Sequence, residues 1–361
     1  MTAMMLLFTQ CKKEETSVVG DSLDFSKAVL IVQEGNFGQN NGDISAILDG
    51  VVYNNLYFDV NDVELGDIVQ SLDRNDMVTA IVVNNSGKVA FVDSKSFKLI
   101  GTTKGLSYPE DVKLSADGKY AYVSNGNGLS GDDYIYTIDL GTFDLVDSVK
   151  TEAGPGKMAL KGSNIYLVCP GNWITNNKFQ VFSVNSAHLT NTATYEVGDV
   201  PSDLDMYEDN LIITCKGAMI YDESWNVVGS SNASVYKYSI SQGAESVKAP
   251  FIEFDHAISC YGMNVSAVNK NDLLIVDNAI LNYNFDSGAP VLQEVKLSSA
   301  DVYGISADNS NFYVLSQAPN QSGRVDFYAW QKTEDSWVHE AQYKLSSYYP
   351  ANALKSFNKH K

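Results

Sequence analysis

The stretch SADGKYAYVSNGNGLSGDDYIYTIDLGTFDLVDSV, residues 115–149, holds three short runs in which apolar and polar side chains alternate: KYAYVSN, YIYTIDL and DLVDSV. Turn-forming clusters separate them, with Ala116-Asp117-Gly118 before the first and a Gly/Asn/Asp loop before the second. A period of two over such short runs predicts half-buried strands, because a helix needs a longer window at a period of about 3.6. YPEDVKL, residues 108–114, adds a fourth strand just upstream.

The same unit recurs outward in both directions. Its opening segment reads LGDIVQSL from Leu65, YPEDVKL from Tyr108, GPGKMAL from Gly154, VPSDLDM from Val200, ISCYGMNV from Ile258 and DVYGISA from Asp301. Each is followed by an apolar strand: VTAIVVNN, KYAYVSNG, NIYLVCPG, NLIITCKG, DLLIVDNA and NFYVLSQA. The spacing of roughly 42 to 58 residues is the period of four-stranded propeller blades. The chain ends supply one more unit. AVLIVQEGN, residues 28–36, lacks a first strand, and YPANALKSF, residues 349–357, is a strand without a blade. Paired, they would close the ring and hide its open edges. The expectation is an all-β, seven-bladed β-propeller, almost without helix, closed by pairing of its N- and C-terminal strands. Six or eight blades is the alternative, since the unit from Val200 is long and its DESWNVVGS segment fits either a loop or an extra hairpin.

Tyr122-Val123-Ser124-Asn125 and the following Ile138-Asp139 resemble the signature of the YVTN repeat. After about residue 25 the chain is similar to the YncE-like, YVTN-repeat propellers of exported proteins.

Composition agrees with one large folded unit. Hydrophobic residues make up 44% and aromatics 11% of the 361 residues, enough for an extensive core. The net charge of -19 opposes binding to phosphate backbones, so nucleic acid is not an expected partner. Setting Cys11 aside, Cys169, Cys215 and Cys260 are odd in number and widely spaced, which fits neither a disulfide framework nor a metal site.

The N-terminus reads as processing. AMMLLFTQ is a short apolar run before Cys11, and Lys12-Lys13-Glu14-Glu15 follow it. This resembles the lipobox and charged tether of a bacterial lipoprotein, although Gln10 stands where a small residue is usual. The resemblance implies a signal remnant over 1–10, a lipidated tether over 11–25 starting at Cys11, and a propeller over 26–361. It also implies an outer-membrane, surface-exposed location for a lipid-anchored monomer.

Loops on a rigid scaffold carry function. The extra length falls between the second and third strands, in EGNFGQNNGD from Glu34, NGNGLSGDD from Asn125, CPGNWITNNK from Cys169, the run from Cys215 to Ser234, DNAILNYNFDSGAP from Asp277 and SQAPNQSGR from Ser316. In a propeller these loops share a face with the segments joining one blade to the next. That face collects Phe37, Trp173, Tyr221, Trp225, Tyr283 and Phe285 from the loops, with Tyr108, Tyr261, Tyr303 and Tyr349 from the joining segments. Aromatics on Gly/Asn-rich loops form a binding surface, packing of loops onto the blades being the alternative for each one singly. Asn36, Asn125, Asn172 and Asn278 recur near the ends of second strands, either to stabilise turns or to contact a polar ligand.

Signs of catalysis are few. Of His188, His256, His339 and His360, only His256 lies near the expected mouth, and no P-loop, dinucleotide fingerprint or HExxH occurs. The GDD run at 131–133 lacks the ligand spacing of a calcium loop. No metal or catalytic residue is therefore assigned, and the cofactor is unknown. Glu34-Gly35-Asn36 at the start of the first blade resembles a set of outer-membrane lipoproteins, some of which capture cobalamin for a TonB-dependent transporter. What this implies is a non-enzymatic capture protein whose partner is a small, corrinoid-like ligand or the transporter itself. A protein-interaction scaffold and an exported hydrolase or lyase are the alternatives.

Overall fold

The computed structural model describes residues 23–243 and 247–258, and beyond them the segments 265–267, 272–277, 279–284, 292–295, 301–307, 311–317, 324–331, 336–345 and 350–355. Cys11, Tyr261, Asn278, Phe285 and Tyr349 lie outside the described residues.

The strands run in chain order from β1 (Val29–Gln33), β2 (Asp43–Leu48) and β3 (Val51–Tyr53) through helix α1 (Leu56–Asn61). Then come β4 (Val69–Arg74), β5 (Val78–Val83), β6 (Lys88–Asp93) and β7 (Leu99–Lys104), followed by β8 (Pro109–Leu114), β9 (Tyr120–Asn125), β10 (Tyr134–Asp139) and β11 (Leu145–Lys150). The next group is β12 (Met158–Lys161), β13 (Asn164–Cys169), β14 (Lys178–Asn185) and β15 (His188–Glu196). It is followed by β16 (Pro201–Tyr207), β17 (Asn210–Cys215), β18 (Met219–Tyr221), β19 (Val227–Ser230), β20 (Ser234–Ser239) and β21 (Ile252–Glu253). The chain continues through β22 (Val265–Ala267), β23 (Asp272–Asp277), β24 (Ala279–Asn284) and β25 (Leu292–Val295). Last are β26 (Asp301–Ala307), β27 (Asn311–Gln317), β28 (Arg324–Gln331), β29 (Ser336–Lys344) and β30 (Pro350–Lys355).

Among the described residues these strands form seven antiparallel four-stranded sheets and one separate two-stranded hairpin, β18–β19. Six sheets use strands consecutive in the chain apart from that inserted hairpin, and the remaining one has the order β3-β2-β1-β30. There the last strand pairs with the first, Leu30 opposite Lys355 and Ile31 opposite Leu354.

The sequence pattern explains the layering. Second strands carry continuous apolar runs because both their faces are covered by neighbouring sheets: Ala80, Ile81, Val82 and Val83 of β5 are all fully buried. The outermost strand β11 alternates exposed and half-buried residues, as a strand with one solvent face should. Between the second and third sheets Ala80, Val82, Val89 and Phe91 pack on Val112, Leu114, Ala121 and Val123. Each buried valine, leucine or phenylalanine among them stabilises the pair by roughly 1.5–3 kcal/mol.

Polar clamps also join neighbouring sheets. Asp73 Oδ2 accepts the Leu114 N–H at 2.9 Å, Asp111 Oδ2 accepts the Met158 N–H at 2.9 Å, and Ser124 Oγ donates to the Gly156 carbonyl at 2.7 Å.

Among the described residues the chain is almost without helix, as expected, and α1 is a short exception of six residues. Leu56 and Tyr57 of α1 are buried, and the Asp43 carboxylate caps the helix by accepting the N–H groups of Tyr57 and Phe58 at 2.9 and 3.2 Å. The DESWNVVGS segment is a hairpin rather than a loop, with Met219 opposite Ser230 and Tyr221 opposite Val227.

Candidate functional site

Antiparallel order alternates the ends at which strands connect. The links between second and third strands therefore share a face with the links between sheets. On that face residues 126–133 follow β9, 170–177 follow β13, and 216–233 follow β17 with the β18–β19 hairpin inside.

The two middle loops are fixed to each other and to the sheets. Asn125 is fully buried: its Oδ1 accepts the Tyr108 N–H at 2.9 Å, and its Nδ2 donates to Ser107 Oγ and to both the carbonyl and Oδ2 of Asp132, each at 3.0 Å. Asp133 Oδ1 accepts the N–H groups of Gly128 and Gly154 at 3.0 Å, so the GDD carboxylates hold the loop together. Asn172 Nδ2 donates to the Gly126 carbonyl at 2.9 Å, and the Trp173 N–H donates to the Asn127 carbonyl at 3.2 Å. Gly154 and Gly171, both at positive φ, let these backbones touch where a Cβ would collide. Asn125 is thus a loop clasp whose whole amide is taken up inside the protein, whereas Asn172 is exposed and commits its Nδ2 to the neighbouring loop.

The aromatics divide. Phe37 is 76% exposed, Trp173 71% and Trp225 82%, each on a loop of the same face. Tyr221 is also more than half exposed, its ring 6.0 Å from that of Trp225. Asn36 is exposed beside Phe37, its N–H donating to Asn41 Oδ1 at 2.8 Å. Tyr108 is half-buried, with its backbone clasped by Asn125. Tyr283 is a correction: β23 ends at Asp277 and β24 begins at Ala279, so there is no long loop between them. Tyr283 lies within β24 and packs edge-on against Phe251 at 5.6 Å. Tyr303 lies in β26.

Nearer the axis the structure brings together Glu110, Gln70 and Asn84, which the sequence reading missed. The innermost strands β4, β8, β16 and β26 shift register at the same place, leaving Gln70, Glu110, Ser202 and Tyr303 as the extra residue of a bulge. Bulges re-aim side chains. Glu110 Oε1 accepts from Asn84 Nδ2 at 3.0 Å and Oε2 from Gln70 Nε2 at 3.1 Å, while the half-buried Lys157 lies within electrostatic reach. Burial pushes the Glu110 carboxyl up to about 8, against the pull of Lys157 and the two amides. The group nevertheless keeps part of its surface in contact with solvent.

At the base of the hairpin a cleft of about 480 Å³ opens between Asp199, Ser231, Asn232, Tyr236, Pro250 and Glu253. Its lining contains two carboxylates and neither lysine nor arginine. His256 pairs with its neighbour Asp255 at 2.8 Å and His188 with Asp147 at 2.8 Å. No group of three metal-ligating side chains occurs among the described residues. Cys169 and Cys215 are free and buried, their thiols pushed up by desolvation.

The sheets and their order define the chain as an all-β propeller, and solved structures share that fold. Hydrazine synthase of Kuenenia stuttgartiensis is similar at a TM-score of 0.61 and 15% identity over 80% of this chain and 90% of that one. A functionally unknown protein from Desulfotomaculum acetoxidans is similar at 0.62 and 9% identity, covering 91% and 98%. A putative 6-phosphogluconolactonase from Bacteroides fragilis is similar at 0.61 and 12% identity, also covering 91% and 98%. No protein-family model matches the chain, and no curated protein does.

Proposed function

We propose that this chain is a non-enzymatic binding propeller, anchored to the outer membrane through lipid on Cys11, whose loop-bearing face docks a partner such as an outer-membrane transporter. In this reading the seven four-stranded sheets are seven blades, and the β1–β30 pairing closes the ring. One observation carries the docking claim. Phe37, Trp173 and Trp225 stand 71–82% exposed on separate loops of one face. Large apolar rings held in water on clasped loops cost solvation and return it on association, which is the behaviour of interface anchors. Their placement on the loops of three different sheets fits a broad partner surface better than a concave pocket.

The test is affinity capture from detergent-solubilised membranes of the native host with wild type, a Phe37→Ala/Trp173→Ala double variant, and Glu208→Ala on the opposite face. The reading expects one partner retained by wild type and Glu208→Ala and lost by the double variant. Equal capture by all three would remove it.

A second reading, capture of a small ligand such as a corrinoid at the axis, is favoured by the Glu110, Gln70 and Asn84 cluster with its solvent contact. The names of two similar structures place an enzymatic reading beside it, and Glu110 is the group such a reading would use. A thermal-shift screen of wild type and Glu110→Gln against corrinoids and sugar lactones separates both from the docking reading. A ligand at a hundred times its dissociation constant adds about 2.7 kcal/mol of stability.

A further inference from the structure

Hairpin β18–β19 is poorly explained by folding alone. Its two strands pair only with each other among the described residues, so each leaves one edge unpaired. Met219, Ile220, Tyr221, Trp225, Val227 and Val228 are all exposed, most by more than half. An isolated two-stranded hairpin is marginal in water, and an apolar one with free edges invites a further strand. Local contacts keep it in shape: Asp222 Oδ1 accepts the N–H groups of Ser224 and Asn226 at 2.8 and 2.9 Å, fixing the tip at which Trp225 stands. The base is tied to the sheet through Ser231, whose hydroxyl donates to Asp199 Oδ2 at 2.7 Å.

Directly at that base lies the cleft between Asp199, Tyr236 and Glu253. An occupant there meets carboxylates and hydroxyls with no competing cation in the lining. The hairpin tip carries Asp222 and Glu223 beside Trp225, and the chain as a whole is strongly acidic. Insertion of the tip into a lipid surface is disfavoured by those tip carboxylates, since charge is costly in the acyl region and anionic headgroups repel it.

We infer that the hairpin and the cleft beneath it form a docking site for an extended, basic peptide segment of a protein partner. The segment adds as a strand to a hairpin edge, lays its apolar side chains on Ile220, Trp225 and Val228, and seats a lysine or arginine between Asp199 and Glu253. Backbone hydrogen bonds to the edge supply affinity, while the alternation of apolar and basic side chains supplies specificity. The inference rests on the reading of the loop-bearing face as a docking face and names the partner's chemistry.

The experiment uses a fluorescein-labelled hexapeptide alternating lysine and valine, read by anisotropy against the intact chain at about 0.15 M salt, with a glutamate–valine hexapeptide as its counterpart. Four proteins are compared: wild type, Asp199→Asn/Glu253→Gln, Ile220→Ser/Trp225→Ser, and Phe37→Ala/Trp173→Ala. Circular dichroism and melting midpoint confirm that each is folded. The expected result is binding of the basic peptide only, weakened at least about tenfold by the cleft pair and by the hairpin pair, and unchanged by the Phe37/Trp173 pair. The conservative cleft pair keeps shape and removes only charge, so it reports on the site even where the hairpin pair alters local structure. Absence of binding, or equal binding by wild type and the cleft pair, overturns the inference. So does a blue shift of Trp225 emission with phosphatidylcholine vesicles and none with peptide. Loss of partner capture in the Phe37/Trp173 variant alongside any of those results leaves the docking face standing and removes only the peptide site.

Discussion

Asn84 Nδ2 lies 3.0 Å from Glu110 Oε1, the end of one sheet's second strand reaching the bulge in the next sheet's innermost strand. The same amide donates to the Pro109 carbonyl at 2.9 Å. Two neighbouring sheets are therefore joined by a polar contact that also positions a carboxyl near the axis.

Stability should fall as pH rises because of that carboxyl. Its folded pKa is raised to about 8 from an ordinary 4.5, so its contribution is fully present below the lower value and is lost as pH rises through the higher. Asp43, pushed up to about 7 by burial, acts in the same direction. Glu110→Gln keeps shape and removes the titration. Urea unfolding at about pH 5 and pH 8.5 should show a loss on the order of 2 kcal/mol for wild type and a clearly smaller one for the variant. Parallel slopes for the two proteins would show that Glu110 is solvated as an ordinary carboxylate.

Asn125→Ala should destabilise the chain by about 2 kcal/mol or more, since it leaves the Tyr108 N–H and the groups of Ser107 and Asp132 without their buried partner. The loop that it clasps also carries the contact to Trp173. Calorimetry reads the first effect, and faster proteolysis within residues 126–133 reads the second.

Removing residues 349–361 should lower the melting midpoint of the whole chain rather than fray one end. Strand β30 covers an edge of β1, and its loss exposes Leu30 and Ile31, both fully buried, at an open sheet edge. An unchanged midpoint would mean that the ring is held without this pairing.

The strands were largely legible in sequence because alternation and turn residues are local signals. Strands β8 to β11 stand where the reading of residues 108–149 places them. The stretch after Asp277 misled for a local reason as well: its asparagines and the Gly-Ala-Pro that follows look like a loop, yet β24 takes up Ala279–Asn284. Glu110 was hidden for the opposite reason. In YPEDVKL it reads as a polar residue of a strand, and only the register of β8 on β9 reveals the bulge that sets it apart. Asn125 was visible, but its role was not, because its partners Ser107 and Asp132 are brought to it by two separate connections.

Cys11→Ala should leave a folded propeller that no longer fractionates with membranes in its native host, since two acyl chains on that cysteine would contribute about 0.8 kcal/mol per buried methylene. Unchanged fractionation of the variant would remove the lipid-anchor reading.

The docking claim is tested most directly by a photo-activated crosslinker placed in living cells at Phe37, at Trp173 and, as the opposite-face control, at Glu208. The account predicts one discrete adduct of the same mass added from both aromatic positions and none from Glu208. Adducts from Glu208 with none from Phe37 or Trp173 would contradict it.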